Sequence, residues 1–411
     1  MTATTVSSNA LGTFAPVLPV GNKPAPSAVR RPTPMPPATL DFPGHVMGGF
    51  AGEFATLYSS HLESPPQFFF MAALTNLGAV LCNRLTVESE IRPQPRLYTL
   101  LLADSADDRK STAVDKTNDF FRWAISDFSI CFGVGSAEGL QKKLEESPRL
   151  LLSFDELKSF VSKCKIESSV LLSCVNTLFE SNRYESRTKT SEIRLENVYV
   201  SLLAASTIAT YQNTWTSAFL DIGFINRIWI VPGGSKRRFS IPPKAPEGER
   251  TRLRLMLGDV LRHVGEHLEL KLTPDAHALY DAWYMNLGSS MHTKRLDTYA
   301  MRLMPLLAAN DFKNEIDVPT VTKVIDLCNH QLVVRQLYDP IDADNETAKM
   351  EEKIRRVLRV KGTITERELK RNIHAERSGL WIYSAAVKNL GIAGEVEWDK
   401  NVRGYALKDA I

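Results

Sequence analysis

The sequence predicts an α/β protein in which helices cover both faces of a parallel sheet and further helical segments flank it. From Leu97 to Val231, apolar runs of strand length alternate with helical stretches, a pattern typical of right-handed βαβ units. The first run leads into a polar loop that ends in Lys110 and opens a helix. Near the end of the chain the pattern changes to three helical stretches and a hairpin. These observations predict an α/β core followed by a separate C-terminal domain.

Length and composition are those of an ordinary soluble globular protein. The chain has 411 residues, of which 44% are hydrophobic and 24% charged, and this length predicts about two or three domains. Its net charge of +3, from 50 basic and 47 acidic residues, favours no class of partner, so a case for nucleic acid depends on local patches. The five cysteines are widely spaced without a C-x-x-C pair, and we expect reduced thiols, not zinc ligands.

The sequence further predicts a cytoplasmic protein without a membrane partner. Its apolar runs are shorter than the ~18–20 residues that cross a bilayer. The N-terminus lacks the apolar segment of a signal peptide, and residues 1–44 are rich in Pro, Ala, Ser and Thr. Because such a composition cannot bury enough apolar surface to offset the entropy of ordering, we expect a disordered tail there.

The rest of the chain divides by pattern. Residues 45–96 have helical spacing broken at Ser64-Pro65-Pro66, which fits two helices, the second beginning at the Pro pair. We assign an α/β core, a linker, a helical domain and a C-terminal block to residues 97–235, 236–247, 248–345 and 346–411. In the core, the predicted strands are 97–103, 128–134, 149–154, 197–205 and 225–231. The predicted helices between them are 110–126, 136–146, 157–163, 168–181 and 208–220. Residues 182–196 are polar and basic, and we expect a projecting loop or hairpin.

The C-terminal block has the order of a winged helix-turn-helix. A helix at 348–360 is followed by a second, whose start is marked by a capping box of Thr365 and Glu368. A third helical stretch, 380–390, precedes two strand-like segments joined by a polar turn. Three helices and a β-hairpin make up a winged helix-turn-helix, which is the fold predicted for this block.

The loop before Lys110 has the spacing of a Walker A phosphate-binding loop but not its glycines. In the pattern G-x-x-x-x-G-K-[ST], backbone N–H groups and the helix N-terminus hold phosphate, Lys reaches the β and γ oxygens, and Ser or Thr binds Mg²⁺. Asp104 and Arg109 occupy the two glycine positions here. The predicted nucleotide ligands are Asp104, Arg109, Lys110, Ser111 and Thr112, with Ser111 also binding Mg²⁺.

Negative charge in this loop opposes phosphate binding. Asp104 is joined by Asp107 and Asp108 where a triphosphate would lie. An aspartate ~5 Å from a phosphate costs about 3 kcal/mol at an effective dielectric constant near 20. Arg109, Lys110 and Mg²⁺ offset part of this cost, and the loop shape can survive because Asp tolerates positive φ.

Paired carboxylates, Asp155 and Glu156, follow the predicted strand 149–154. A carboxylate in this position can hold Mg²⁺ through water, and its neighbour can polarise an attacking water. We therefore assign Mg²⁺ to Asp155 and water activation to Glu156, the alternative being a strand that merely ends in Asp-Glu. Ligands of open α/β sheets bind at the carboxyl edge, so we expect the pair near the Lys110 loop.

Two further residues are candidates. Ser206 follows the predicted strand 197–205 and suits sensing of a γ-phosphate, or belongs with Thr207 to a helix cap. Arg227 could reach a triphosphate as an arginine finger, within the subunit or across a boundary, or form a surface or interface salt bridge.

In their shared order, these motifs resemble a RecA-like P-loop ATPase family first catalogued as a domain of unknown function. Its members occur in plasmid, phage and defence-associated replication modules, often beside primase-polymerases. The resemblance extends from about Phe50 to Arg302 and includes the segments Ser136–Leu140, Ser201–Thr207 and Gly223–Arg227. Members keep a Ser/Gly-rich loop, from which the aspartates of this chain depart. The resemblance implies a RecA-like P-loop core, ATP and Mg²⁺ as cofactors, and sites between subunits of a ring or filament, with 182–196 as a channel loop.

Basic residues concentrate in the C-terminal block. The predicted DNA-binding residues are Arg367, Lys370, Arg371, Lys388, Lys400 and Arg403, with His374 and Arg377 beside them. Such side chains could contact phosphates of single-stranded or duplex DNA without reading sequence. The alternative is the solvated face of a protein-binding winged helix.

These features together lead to one principal hypothesis and two alternatives. The first is an oligomeric, ATP-dependent protein acting on DNA, helicase-like or a replication initiator of a mobile-element or defence module, with primase or other replication proteins as possible partners. The second is a catalytically degenerate P-loop scaffold that binds DNA or partner proteins without ATP hydrolysis. The third is a P-loop regulator with no nucleic-acid role.

Overall fold

A computed structural model describes most of the chain from residue 41 onward. The described residues are 41–104, 109–166, 169–187, 192–215, 223–341 and 345–408. Most of the Pro-rich tail predicted at 1–44, together with Asp107 and Asp108, lies outside them. Among the described residues, none of the helices combines the length and apolarity needed to span a membrane.

Two N-terminal helices precede the sheet. They are α1 (Gly49–His61) and α2 (Pro66–Leu81), and α2 begins at the predicted Pro pair. Pro suits this first helical position because its missing N–H would have no partner inside the helix. Helix α2 is buried along almost its whole length, because α1 covers one side and the sheet the other. A short strand, β1 (Leu85–Val87), follows.

Five parallel strands form the central sheet, as predicted. The elements from the first of these strands onward are β2 (Tyr98–Ala103), α3 (Lys110–Ala124), β3 (Ile130–Phe132), α4 (Ala137–Glu146), β4 (Arg149–Phe154), α5 (Leu157–Cys164), α6 (Leu171–Glu180), β5 (Arg183–Arg187), β6 (Glu192–Glu196), β7 (Tyr199–Thr207), α7 (Ile208–Thr214) and β8 (Trp229–Pro232). The sheet order is β3-β4-β7-β2-β8. Several strand boundaries differ from the prediction by one or two residues, and the largest difference is at β8, which begins at Trp229, not at 225, because Ile225–Arg227 forms a 3-10 turn.

The helices that follow the two central strands, β2 and β7, lie on opposite faces of the sheet. Helices α2 and α3 pack on one face, and α4 to α7 pack together on the other. From β2 the chain passes through α3 to the distant β3, whereas from β7 it enters α7 and continues toward β8. Neighbouring strands β2 and β7 therefore direct their following helices to different faces, which opens a crevice between their carboxyl ends.

The segment predicted at 182–196 as a loop or hairpin is a hairpin. Strands β5 and β6 pair antiparallel, with Arg183 opposite Glu196 and Arg187 opposite Glu192. Most of its side chains are exposed or half-buried and charged. The hairpin thus presents a charged surface.

The region 248–345 is mostly helical, as predicted. It contains α8 (Glu247–Val264), β9 (Leu268–Leu270), α9 (Pro274–Met285), α10 (Leu296–Asn310) and α11 (Val318–Tyr338). Strand β9 pairs in parallel with β1, so this region joins the N-terminal segment directly. One hydrophobic core extends from Val46 to Val334. The N-terminal helices, the sheet and this helical region therefore pack as one body.

The C-terminal block has a small core of its own. Its elements are α12 (Glu346–Lys361), β10 (Ile364–Thr365), α13 (Glu366–Asn372), α14 (Ala375–Ser378), α15 (Leu380–Ile392), β11 (Val396–Asp399) and β12 (Gly404–Leu407). The predicted hairpin is present, and β10 extends it to an antiparallel sheet of order β10-β12-β11. Thr365 caps α13 by accepting a hydrogen bond from the Glu368 N–H at 3.1 Å.

Candidate functional site

Three neighbouring strands bring most of the predicted site together at the carboxyl edge of the sheet. Glu156 follows β4, Ser206 lies near the end of β7, and Asp104 follows β2. Because β7 lies between the other two strands, Ser206 lies between the carboxylates and the Lys110 loop. This edge includes the crevice between β2 and β7, the position where open α/β sheets bind ligands.

Helix α3 begins at the predicted lysine. Lys110 is its first residue and is 7% exposed, while Ser111 and Thr112 complete the first turn. The first N–H groups of a helix have no acceptor within the helix, and the helix dipole makes this end positive. The turn that carries Lys110, Ser111 and Thr112 is therefore electrostatically suited to an anion.

Arg109, at the position of the second Walker A glycine, adopts a left-handed backbone conformation that glycine adopts without strain. Its φ is +52°, in the left-handed region, where a residue with a side chain pays roughly 1–2 kcal/mol. Two side chains hold it there: Glu63 accepts a hydrogen bond from Arg109 Nε at 3.1 Å, and the Ser64 hydroxyl donates to the Arg109 carbonyl at 2.8 Å. Arg109 therefore has a structural role at this position.

Glu63 was not predicted from the sequence. It is buried, and it accepts hydrogen bonds from the N–H groups of Arg238 and Phe239 at 2.8 and 3.1 Å. These two bonds, with a smaller effect of Arg109, lower the pKa of Glu63 to about 2. Glu63 thus joins the chain after β8 to the start of α3. It lies in the turn between α1 and α2, where no local motif indicates this contact.

Glu156 is oriented by Ser206. Ser206 is 1% exposed, and its hydroxyl donates to Glu156 Oε1 at 2.7 Å. Thr207 instead caps α7 by accepting from the Thr210 N–H at 3.0 Å. Of the two interpretations made from the sequence, the helix cap therefore describes Thr207, while Ser206 contacts the carboxylate.

Asp155 is exposed at the end of β4, and a second carboxylate lies near it. Burial raises the pKa of Asp115, and the negative charge of Asp155 raises it further. Asp115 lies four residues after Ser111, on the same face of α3, and this spacing could have identified it. Asn118, also on α3, donates to the Ser153 hydroxyl at 2.8 Å, which fixes the helix against β4.

The side-chain oxygen atoms at this edge are of the chemical type that binds Mg²⁺. Hydroxyl and carboxylate oxygens, such as those of Ser111 and Asp155, are the ligands that this ion prefers. In the part of the chain that the structure describes, no group of three or more His, Cys, Asp or Glu side chains is placed to hold a metal ion. A magnesium ion at Asp155 would therefore take further ligands from phosphate and water, as is usual for this ion.

Asp104 contacts the C-terminal block. His374 Nε2 lies 3.3 Å from Asp104 Oδ1. The hydrogen bond from His374, with the positive charges of His374, Arg377 and Lys110, holds the pKa of Asp104 below its usual value. A residue predicted to bind nucleotide is thus paired with a side chain 270 positions later in the chain.

Arg227 lies at the opposite edge of the sheet from Lys110. Trp229 pairs in parallel with Thr99, so Arg227 precedes the amino end of β2, whereas Lys110 follows its carboxyl end. Six strand residues at ~3.3 Å each separate these ends by about 20 Å. Arg227 Nη1 donates to the Gly223 carbonyl at 2.8 Å, and burial lowers the pKa of the Arg227 guanidinium. An arginine finger within the same subunit is not compatible with this position, so contact across a subunit boundary and a surface or interface salt bridge are the two remaining predictions for Arg227.

The predicted DNA-binding residues lie on several elements of the C-terminal block. Arg367, Lys370 and Arg371 surround a depression of about 620 Å³ that also contains Glu366 and Glu376. Lys370 is engaged there, since its Nζ lies 2.8 Å from Glu366 and 5.1 Å from the ring centroid of Tyr383. The other three are exposed on α15 and in the turn between β11 and β12: Lys388, Lys400 and Arg403.

No protein-family model matches this sequence, and no curated protein matches it either. The function therefore has to be inferred from the site.

Proposed function

We propose that this chain is an oligomeric ATP-dependent protein that acts on DNA, helicase-like or a replication initiator of a mobile-element or defence module. One observation carries the proposal. The buried Lys110 at the start of α3, the carboxylates Asp155 and Glu156, and Ser206 meet at the carboxyl edge, beside the crevice between β2 and β7. This arrangement combines an anion-binding helix terminus with carboxylates suited to a cation and to proton transfer.

Each side chain has a distinct role in this proposal. Lys110 and the N–H groups of the first α3 turn bind the β- and γ-phosphates, and Ser111 and Asp155 hold Mg²⁺, which neutralises phosphate charge when bound. Glu156 accepts a proton from the attacking water, and the hydrogen bond from Ser206 keeps its carboxylate in one orientation. The carboxylate retains its second oxygen for this proton transfer.

The DNA and oligomer parts of the proposal depend on exposed charge. Arg367, Lys388, Lys400 and Arg403 are exposed and suited to backbone phosphates, which would give binding without sequence preference. Arg227 would act on the nucleotide of a neighbouring subunit, because it lies about 20 Å from its own site. The hairpin of β5 and β6 stays the proposed channel loop, although among its described residues Arg187 pairs with Glu192 and Arg194 with Glu185 and Glu196.

Calorimetric titration of ATP and Mg²⁺, together with ATP turnover with and without single-stranded DNA, tests this function. We expect Lys110→Ala to abolish nucleotide binding, because it removes the buried cation at the helix start. Lys116→Ala is the matched control, since Lys116 is an exposed lysine of α3 whose ammonium lies near Asp119. If the unaltered chain binds no nucleotide at millimolar ATP, the enzyme proposal is wrong, and the scaffold alternative takes its place.

A further inference from the structure

A cavity of about 630 Å³ separates the sheet edge from the C-terminal block. Asp104 and Gly233 to Ser235, which follow β2 and β8, line it on the sheet side. Lys361, Arg371 and His374 line it on the side of the C-terminal block. Its volume is within the range of ~300–1,000 Å³ that is usual for small-molecule sites.

The walls of this interface cavity differ in character. Ile208, Tyr338 and Val357 contribute apolar surface, whereas Arg371 and His374 contribute basic groups. A ligand with a flat apolar part and a strongly anionic part would match both walls. Nucleotides are such ligands, since the base stacks on apolar groups and the phosphates pair with cations.

The cavity is continuous with the start of the Lys110 loop. Asp104 lines the cavity and is also the first residue after β2, at the position of the first Walker A glycine. His374 Nε2 lies 3.3 Å from its carboxylate, which carries the one negative charge that the described part of this loop directs toward the cavity. A hydrogen bond from this imidazole occupies one carboxylate oxygen and so reduces the repulsion that Asp104 would exert on a phosphate.

Buried polar contacts fix the C-terminal block against the helical region beside this cavity. Arg356 on α12 is 7% exposed, and it donates to the Asp339 carbonyl and to Glu352. The Asp339 carboxylate is in turn 2.8 Å from His292 Nδ1. Because Arg356 and Asp339 are buried and hydrogen-bonded, they fix α12 against the end of α11, and with it the block that carries Arg371 and His374.

We propose that the C-terminal block completes the nucleotide site, with the base and sugar of a nucleoside triphosphate in the interface cavity and Arg371 and His374 contacting its phosphates. This inference rests on the proposed nucleotide binding at Lys110. It gives Arg371 a role different from DNA contact.

The test is calorimetric titration of the full chain with ATP and with inorganic triphosphate, both with Mg²⁺. We expect Arg371→Ala/His374→Ala to weaken ATP affinity at least tenfold, and Lys408→Ala, a change in an exposed lysine of the same block, to leave it unchanged. Inorganic triphosphate should bind more weakly than ATP but lose affinity in the same double variant. If circular dichroism shows that the double variant folds poorly, Arg371→Gln alone takes its place. This change at an exposed side chain should cause a smaller loss of ATP affinity.

The outcomes separate this inference from the proposed function. If Lys110→Ala abolishes ATP binding while Arg371→Ala/His374→Ala and Arg371→Gln bind ATP as the unaltered chain does, the inference is wrong and the nucleotide site stands. If ATP and inorganic triphosphate bind equally well, the base does not occupy the cavity, which also overturns it. If the unaltered chain binds neither compound, both proposals are wrong.

Discussion

The two edges of the five-stranded sheet both carry charged side chains, but they use them in different ways. At the amino edge, Arg96, Arg302 and Arg335 are each 3% exposed or less. All three donate to main-chain carbonyls, those of Leu178, Phe179 and Ile228 among them. At the carboxyl edge, Asp155 is exposed and Glu156 is half-buried. At the amino edge these guanidinium groups are bound to main-chain carbonyls inside the fold, whereas at the carboxyl edge the Asp155 and Glu156 carboxylates reach the surface.

This difference follows from the direction of helices in a parallel α/β fold. Helices that return from one strand to the next end at the amino edge, where their last carbonyls attract cations. Arg96 and Arg302 bind the carbonyls that end α6. Helices begin at the carboxyl edge, where their first N–H groups attract anions, and Lys110 begins α3 there. The buried Arg96, Arg302 and Arg335 at the amino edge therefore serve stability, whereas the helix start at Lys110 is suited to an anion.

Glu156→Gln should give the largest effect at the carboxyl edge. We expect ATP turnover to fall by about 10²- to 10⁴-fold, the usual range for loss of a general base. Nucleotide affinity and thermal stability should stay near those of the unaltered chain, because the amide can still accept the hydrogen bond from Ser206. Phosphate release and calorimetric titration measure the two quantities. Ser206→Ala, which frees the Glu156 carboxylate without removing it, should cause a smaller fall in turnover. If ATP turnover by Glu156→Gln stays within threefold of that of the unaltered chain, the role assigned to Glu156 is wrong.

Arg302→Ala should affect stability at the amino edge and leave the chemistry intact. The change leaves the carbonyls of Phe179 and Arg96 without their buried donor. Burial lowers the pKa of Arg302 to about 10, so it is still charged near neutral pH. We expect the free energy of unfolding to fall by about 3 kcal/mol.

Urea unfolding measures this loss. The control is Arg262→Ala, at an exposed residue paired with Asp259, for which we expect a change within about 0.5 kcal/mol. The folded fraction of Arg302→Ala should bind nucleotide normally at low temperature. A variant as stable as the control would show that the amino-edge arginine does not stabilise the fold.

Apolar runs were sufficient to predict the core strands. Strands buried on both faces are continuous in hydrophobicity, and β2 and β4 match their predicted ranges within one residue. The start of β8 was missed because Phe224 and Ile225 are buried apolar residues without being strand residues. Hydrophobic runs report burial, and burial alone does not distinguish a strand from a packed 3-10 turn.

Contacts between distant segments could not be predicted. The order of strands decides that Arg227 and Lys110 lie at opposite edges, and the sequence contains no signal for that order. Glu63 and Arg109 meet across 46 positions, and Asp104 and His374 across 270. Such pairs depend on how whole elements pack, whereas the Asp155-Glu156 pair and the Lys110 helix start are local and were found.

Glu63→Gln should cause a moderate, pH-dependent loss of stability at the carboxyl edge. The pKa of Glu63 is lowered to about 2 in the folded chain, chiefly by N–H groups of Arg238 and Phe239. A lowered folded pKa stabilises the fold above the unfolded pKa, near 4.3, and this contribution is lost as pH falls toward about 2.

Thermal melts of Glu63→Gln and the unaltered chain between pH 7 and pH 3 measure this dependence. We expect a clear difference in Tm at pH 7 that narrows as the pH falls below about 4.3. Glu145→Gln, at an exposed residue of α4, is the control and should show no such change. A difference in Tm that is constant with pH would mean that the charge of Glu63 does not support the Lys110 loop.

Changes at exposed lysines of the C-terminal block should have the smallest of these effects, a change in the salt dependence of DNA binding. They test whether exposed charge, as opposed to charge already paired within the fold, contacts DNA. Lys388 and Lys400 are exposed, whereas Lys370 is paired with Glu366 and lies over Tyr383. Removal of one lysine–phosphate pair lowers the slope of log K against log salt by about 0.9 for duplex DNA. We therefore expect Lys388→Ala/Lys400→Ala to flatten that slope by about 1.8 for all sequences alike. Lys370→Ala should change the slope less, because the Lys370 ammonium is already paired with Glu366.

Fluorescence anisotropy of labelled duplex and single-stranded DNA across a range of salt measures the slope. An unchanged slope in the double variant would mean that Lys388 and Lys400 do not contact DNA, and that the C-terminal block instead binds a partner protein.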